Sequence, residues 1–246
     1  MTTKTRTQSD AEKFLAELHD WRKTVLPRPY FRDAIASGKA TRNGLRTWAK
    51  EMFHAAYHFP RHIAAVLAHC QDEASFHNFS ANFSREAGWY ETPYHPHLLF
   101  PFGEALGFKK EEFYSYEASA QELGWSYAVY YFAHSSLEEG IGAIAISVEG
   151  VGSTLVTGDL STGLVRGSPK TTGDYLKDLY GFDDKATIFW YHHRQLQVKD
   201  VGEGLELVEP FVKSKEQREK MARAFRHVTI LMAERDRFWA DMVLKP

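Results

Sequence analysis

The stretch Gly140-Ile141-Gly142-Ala143-Ile144-Ala145-Ile146-Ser147-Val148-Glu149 decides how this chain is read. From Gly140 to Val148 it carries no charge, and Ser147 supplies the one side-chain hydroxyl. Wound as a helix it has no polar face wide enough for a surface position, so it is expected to be buried nearly all round. It is far shorter than the roughly 20 residues needed to span a bilayer. Glu149 sits at its apolar end. A carboxylate there is costly unless it is paired or bound to a metal. Glu149 is therefore a candidate ligand or catalytic carboxylate; the other reading is an exposed glutamate at a helix end, or one paired with an arginine.

Outward from this segment the pattern stays helical, with no alternating strand of useful length and no hairpin dipeptide. Phe14, Leu15, Leu18, Trp21 and Val25 recur at three- and four-residue spacing, which predicts an amphipathic helix from Asp10 to Leu26, ended by Pro27 and Pro29. Thr41 reads as the N-cap of a longer helix to about Phe59, where Pro60 kinks or restarts it. Further helices are expected from Asp72 to about Glu86, from Leu98 to Leu106, and over 118–133, 136–156, 173–180, 184–208 and 214–244. The segment 157–172 reads as a long loop. Residues 1–9 are polar and expected to fray. The expectation is one all-α domain over 10–246, a bundle of about seven to nine helices.

Composition narrows the function. The chain has 246 residues, 30 Lys+Arg against 32 Asp+Glu, 12 His and one Cys. This near-neutral balance lacks the basic excess of a nucleic-acid binder. One Cys makes no internal disulfide and no thiolate metal cluster. The polar start MTTKTRTQSD shows no secretory signal, so a cytoplasmic protein that binds no membrane is expected. Any metal here would be held by imidazoles and carboxylates.

Three segments carry such groups. In 188–204, His193, Gln197, Asp200 and Glu203 share one helical stripe, so a few turns offer an imidazole and carboxylates to one point. The competing reading is a solvated polar face. In 85–97, Glu86 ends one helix while His95 and His97 open the next, and both ends are able to face one cavity; a loop with surface histidines is the alternative. His54, His58 and His62 are spaced four apart across Pro60 and read as a polar lining rather than a ligand set. Cys70 has no base beside it and reads as a structural thiol.

The order of these segments resembles the haem-oxygenase-like fold family, which includes thiaminase II, pyrroloquinoline-quinone synthase and the non-haem di-metal oxidases and oxygenases. The resemblance spans about residues 12–244. It rests on Ser37-Gly38-Lys39-Ala40-Thr41, Trp48, Phe59-Pro60-Arg61, Ala64-Ala65 and Gly103-Glu104-Ala105-Leu106-Gly107. The di-metal branch has a Glu at one helix end, a His at the start of the next helix, a Glu in a buried helix, and then a His-x3-Asp-x2-His helix. Glu86, His95 and Glu149 match the first three places. The last departs: aligned on His193, it offers Gln197 and Asp200; aligned on Asp200, Glu203 stands where the final His belongs. Thiaminase II is disfavoured because its nucleophilic Cys lies mid-chain, and Cys70 is early. Glu86 also replaces a His of the quinone synthase.

The resemblance thus implies two irons, or iron with manganese, held by Glu86, His95, Glu149, His193, Asp200 and Glu203. Glu86, Glu149 and His193 would be the catalytic members and O2 the co-substrate. The expected activity is an O2-activating oxidase or oxygenase acting on a small amino-acid-like, amine or carboxylate metabolite, working as a homodimer. Arg32, Arg61 and Arg194 are candidate carboxylate clamps, and the aromatic segment Trp125, Tyr127, Tyr130, Tyr131 and Phe132 is a candidate pocket wall or ordinary core. Two alternatives stand beside it: a metal-free oxidase of the quinone-synthase kind, and a non-catalytic small-molecule-binding protein of the same fold.

Overall fold

A computed structural model describes residues 8–89, 93–152, 170–193 and 203–246, with backbone alone at 203–204. No strand occurs among the described residues. The α-helices are α1 (Asp10–Val25), α2 (Tyr30–Ala36), α3 (Arg42–Leu67), α4 (Glu73–Glu86), α5 (Phe100–Ala105), α6 (Lys110–Tyr114), α7 (Ala120–Ala133), α8 (Leu137–Gly140), α9 (Thr172–Tyr180), α10 (Glu203–Val208) and α11 (Lys215–Val243). Short 3-10 helices cover His95–Leu99 and Glu209–Phe211, a π-helix covers Ile141–Val148, and 188–193 is also helical. No helix of the described residues is long and apolar enough to cross a membrane.

This is more helices than the seven to nine expected: two long segments break, and α6 forms where no helix was expected. The expected 98–106 helix is the end of a 3-10 turn that starts at His95, followed by α5 with Pro101 in its first turn. The expected 136–156 helix is a four-residue α8 running into the π-helix. By contrast Pro60 lies inside a continuous α3. The expected 184–208 helix is seen at 188–193 and α10; residues 194–202 between them lie outside the described residues, as do 1–7.

Each well-formed helix has a local cause. Ser9 caps α1 through a reciprocal box: its hydroxyl accepts from Glu12 N at 3.2 Å, and Ser9 N donates to Glu12 Oε2 at 2.7 Å. Phe14, Leu15 and Leu18 are buried, as their spacing predicts. Ser9→Ala is expected to cost about 1 kcal/mol, read from urea unfolding midpoints. An unchanged midpoint would mean that the cap does not form in solution.

Two apolar clusters fill the bundle. One gathers α1, α7, the π-helix, the first half of α11, and Phe79 and Phe83 of α4. The other gathers α2, the first half of α3, α5, α6, Trp190 and the end of α11. Helix α11, about 43 Å long at 1.5 Å per residue, runs through both.

The π-helix is buried from Ile141 to Ser147, which matches the all-apolar reading of this stretch. Its wider winding closes with Glu149 N donating to Ile144 O at 2.9 Å, a five-residue step. Ser147 anchors it on both sides. Its hydroxyl lies 3.1 Å from Thr229 Oγ1 of α11, and its carbonyl accepts from Arg22 Nη1 of α1 at 3.2 Å.

Candidate metal centre

Glu86, His95 and His193 come together where these elements end. Glu86 is the last residue of α4, whose start is fixed by Asp72 accepting from Ser75 N at 2.8 Å. Gly88 then turns the chain at φ +69°, and a Cβ there would lie 2.3 Å from Tyr94 N. Glycine is required twice over, for the left-handed backbone and for the close approach. That contact folds Tyr94 back against the helix end and sets His95, first residue of the 3-10 turn, beside Glu86. His193 comes from the 188–193 turn, anchored by Trp190 stacking on Trp48 with ring centroids 5.7 Å apart.

One ligand atom from each of the three residues lies within 4.8 Å of the other two. His95 Nδ1 and Glu86 Oε2 are 2.8 Å apart. Two ligands at right angles on bonds of about 2.1 Å would sit roughly 3.0 Å apart. Although the two atoms are so close, His95 Nδ1 is buried and makes no hydrogen bond. A short contact between two donor atoms with no hydrogen bond between them suits a pair of ligands to one ion. His193 is held by its Nδ1, which donates to Phe189 O at 2.8 Å and leaves Nε2 as the electron pair. The residues present therefore fit a transition-metal ion.

The electrostatics agree with that fit. Burial pushes the Glu86 carboxyl up to about 6, against smaller opposing pulls from His193 and Arg85. Burial lowers His95 to about 4, and lowers His193 as well. Near neutral pH both imidazoles are therefore unprotonated, and the carboxylate is ionised.

Of the other expected ligands, Glu149 is the one with a described side chain. Glu149 caps the π-helix, and its Oε1 accepts from Asn82 Nδ2 at 3.4 Å. Asn82 is one turn before Glu86 on α4, so Glu149 reaches the same helix but is not one of the three mutually close groups. Asp200, Gln197 and Arg194 lie outside the described residues, as does the side chain of Glu203.

A residue that the sequence reading missed is His192, whose Nε2 lies 3.0 Å from His95 Nε2. Its signal was the His192-His193 pair, which a stripe of three- and four-residue steps skips.

The remaining candidates sort by contact. His54 meets the fully buried Glu122 at 3.4 Å and His62 meets Ser126 at 3.3 Å, so this stripe lines the α3–α7 interface. His97 bonds Tyr114 Oη at 3.1 Å. Trp125 and Phe132 are core, whereas Tyr127 and Tyr131 are over 60% exposed and wall no interior pocket. Arg32 Nη2 donates to Lys170 O, and Arg61 Nη1 to Tyr57 O. Burial raises the Cys70 thiol to about 11, which suits a structural role.

No family model matches the chain, and no curated protein matches it. Solved structures do. A domain of unknown function with a haem oxygenase-like fold from Shewanella denitrificans superposes with a TM-score of 0.71 at 15% identity, over 96% of this chain and 93% of that one. A CADD-like protein of unknown function from Nostoc punctiforme gives 0.68 at 12% identity, over 94% and 99%. A TenA family transcription regulator from a Silicibacter species gives 0.65 at 16% identity, over 97% of each chain. These likenesses extend over nearly the whole length and share one architecture: the chain has the haem oxygenase-like fold.

Proposed function

We propose that this chain is an O2-activating, metal-dependent oxidase or oxygenase with its centre at Glu86, His95 and His193. The observation that carries this reading is the convergence of one carboxylate and two imidazoles within 4.8 Å. Two imidazoles and one carboxylate, with positions left open, suit non-haem iron(II). When bound, the metal would supply O2 binding and one-electron chemistry. The chain itself supplies a buried carboxylate, a His193 ring held by Phe189 O, and a His95 pocket closed to water. The two-metal form, with two irons or iron and manganese, adds Glu149, Asp200 and Glu203. The same reading takes a small amino-acid-like, amine or carboxylate metabolite as substrate, and a cytoplasmic homodimer as the working form.

Anaerobic loading with ferrous ion, followed by metal analysis and exposure to O2, tests the proposal. One ion per chain supports the three-residue centre; two support the participation of Glu149, Asp200 and Glu203. A chain that takes up no stoichiometric metal and shows no O2-dependent absorbance refutes it.

The pH dependence is a second check. Binding needs Glu86 ionised and both imidazoles neutral. Glu86 releases its proton near 6 and His95 near 4, and burial holds His193 below its ordinary value. Affinity is expected to fall by at least tenfold per unit below about pH 6 as the Glu86 proton competes. It should steepen near pH 4, where His95 also protonates. A titration showing no loss of affinity between pH 6 and 5 would contradict this assignment.

A further inference from the structure

We propose that His192 is a positioning residue for this centre: its Nε2 accepts the proton on His95 Nε2, and so keeps His95 Nδ1 as a bare electron pair beside Glu86. The inference rests on the metal reading above and adds a residue outside the three-ligand set.

The Nε2 atoms of His95 and His192 are 3.0 Å apart, with the rings nearly perpendicular at 82°. Two nitrogens at that distance share one proton, so one ring donates and the other accepts. If His192 donated, the His95 proton would sit on Nδ1. That atom is buried and has no hydrogen bond, although Glu86 Oε2 is 2.8 Å away. A buried donor without an acceptor is the costly arrangement. If His95 donates, the ring N–H of each ligand histidine is satisfied: His95 Nε2–H on His192, and His193 Nδ1–H on Phe189 O at 2.8 Å. The electron pairs of His95 Nδ1 and His193 Nε2 then remain for a metal. His192 does for His95 what the Phe189 carbonyl does for His193: it fixes which nitrogen is bare and holds the ring plane.

His192 is half-buried and is not among the three groups that converge, so its part is to orient rather than to ligate. It must itself carry its proton on Nδ1, the less common tautomer of a free imidazole, which gives the proposal a signature in the metal-free chain.

The test uses the full chain with 15N-labelled histidine and cobalt(II) as the probe ion. In the metal-free wild type, the ring-nitrogen spectra are expected to show His95 protonated on Nε2 and His192 on Nδ1. In His192→Phe the Nε2 proton loses its acceptor, so the His95 proton should no longer be confined to Nε2, and cobalt affinity should fall 10–100-fold, the usual effect of losing an outer partner. His192→Gln keeps an acceptor near the Nε2 position and should restore affinity to within about threefold of wild type. A merely structural His192 would lower the unfolding midpoint without moving the His95 proton. His95 protonated on Nδ1 in the wild type, or wild-type cobalt affinity in His192→Phe, overturns the proposal. A wild type that binds neither cobalt nor iron sinks the metal reading instead, and the nitrogen spectra then decide the role of His192 without it.

Discussion

His95→Ala is expected to abolish stoichiometric metal binding, and Glu86→Gln to weaken it by more than about 100-fold, beyond the 10–100-fold typical of outer partners. The reason is the small size of the donor set. Among the described residues three groups converge, and each supplies one donor atom. Glu86→Gln keeps the volume of the side chain but removes the charge that balances the cation. His95→Ala removes a buried ring whose Nδ1 has no other partner. Its cavity should also cost stability, so circular dichroism must show a folded variant before the affinity is interpreted. Anaerobic ferrous or cobalt titration provides the measurement. If both variants still bind one ion per chain, the centre lies elsewhere.

Gly142→Ala is expected to destabilise the fold by about 3 kcal/mol or more, at or above the top of the usual range for overpacking. A Cβ at Gly142 would lie 2.2 Å from the carbonyl oxygen of Met221, and 2.9 Å from its C and Cα atoms. These are backbone atoms within the second turn of α11, so no side chain can swing away. Relief requires the π-helix and α11 to separate, which also pulls on the Ser147–Thr229 contact at 3.1 Å. Gly124 in α7 is the control: nothing lies within 4 Å of the Cβ position there. Gly124→Ala should therefore be neutral, or stabilise by about 0.5–1 kcal/mol from helix propensity alone. Urea denaturation of both variants reads the difference. Equal midpoints would show that 141–148 and α11 do not pack this closely in solution.

The contrast between these two glycines shows what the sequence can and cannot say. Both stand in helices, and although the apolar run marks Gly142 as interior, nothing near it names the Met221 backbone as what it touches. Phe14, Leu15 and Leu18 were legible as a buried face because helix periodicity is local. The Thr41 cap was legible for the same reason: the hydroxyl and the amide it bonds are three residues apart; the Ser9 cap was not, because residues 1–9 read as a frayed end. The burial of Ile141–Ser147 was legible from composition, since such a segment has no face to give to water. Its π winding was not, because that winding is closed by a five-residue step and held from outside by Thr229 and Arg22.

The candidate centre divides along the same line. Glu86 and His95 are nine residues apart, and the sequence already set a helix end and a helix start facing each other. By itself it determined an all-helical chain, an apolar helix that must be interior, and a chemistry limited to imidazoles and carboxylates by the presence of one thiol. Tertiary structure decided which of the 12 histidines matter. His54 and His62 were spent on the α3–α7 interface, and His97 on Tyr114. His193 was carried to His95 across nearly a hundred residues, and the unremarked His192 came to lie against His95 Nε2. A ligand set is a matter of atoms within a few ångströms. Periodicity fixes which face a side chain takes on its own helix, but the packing of separate helices fixes which side chains meet.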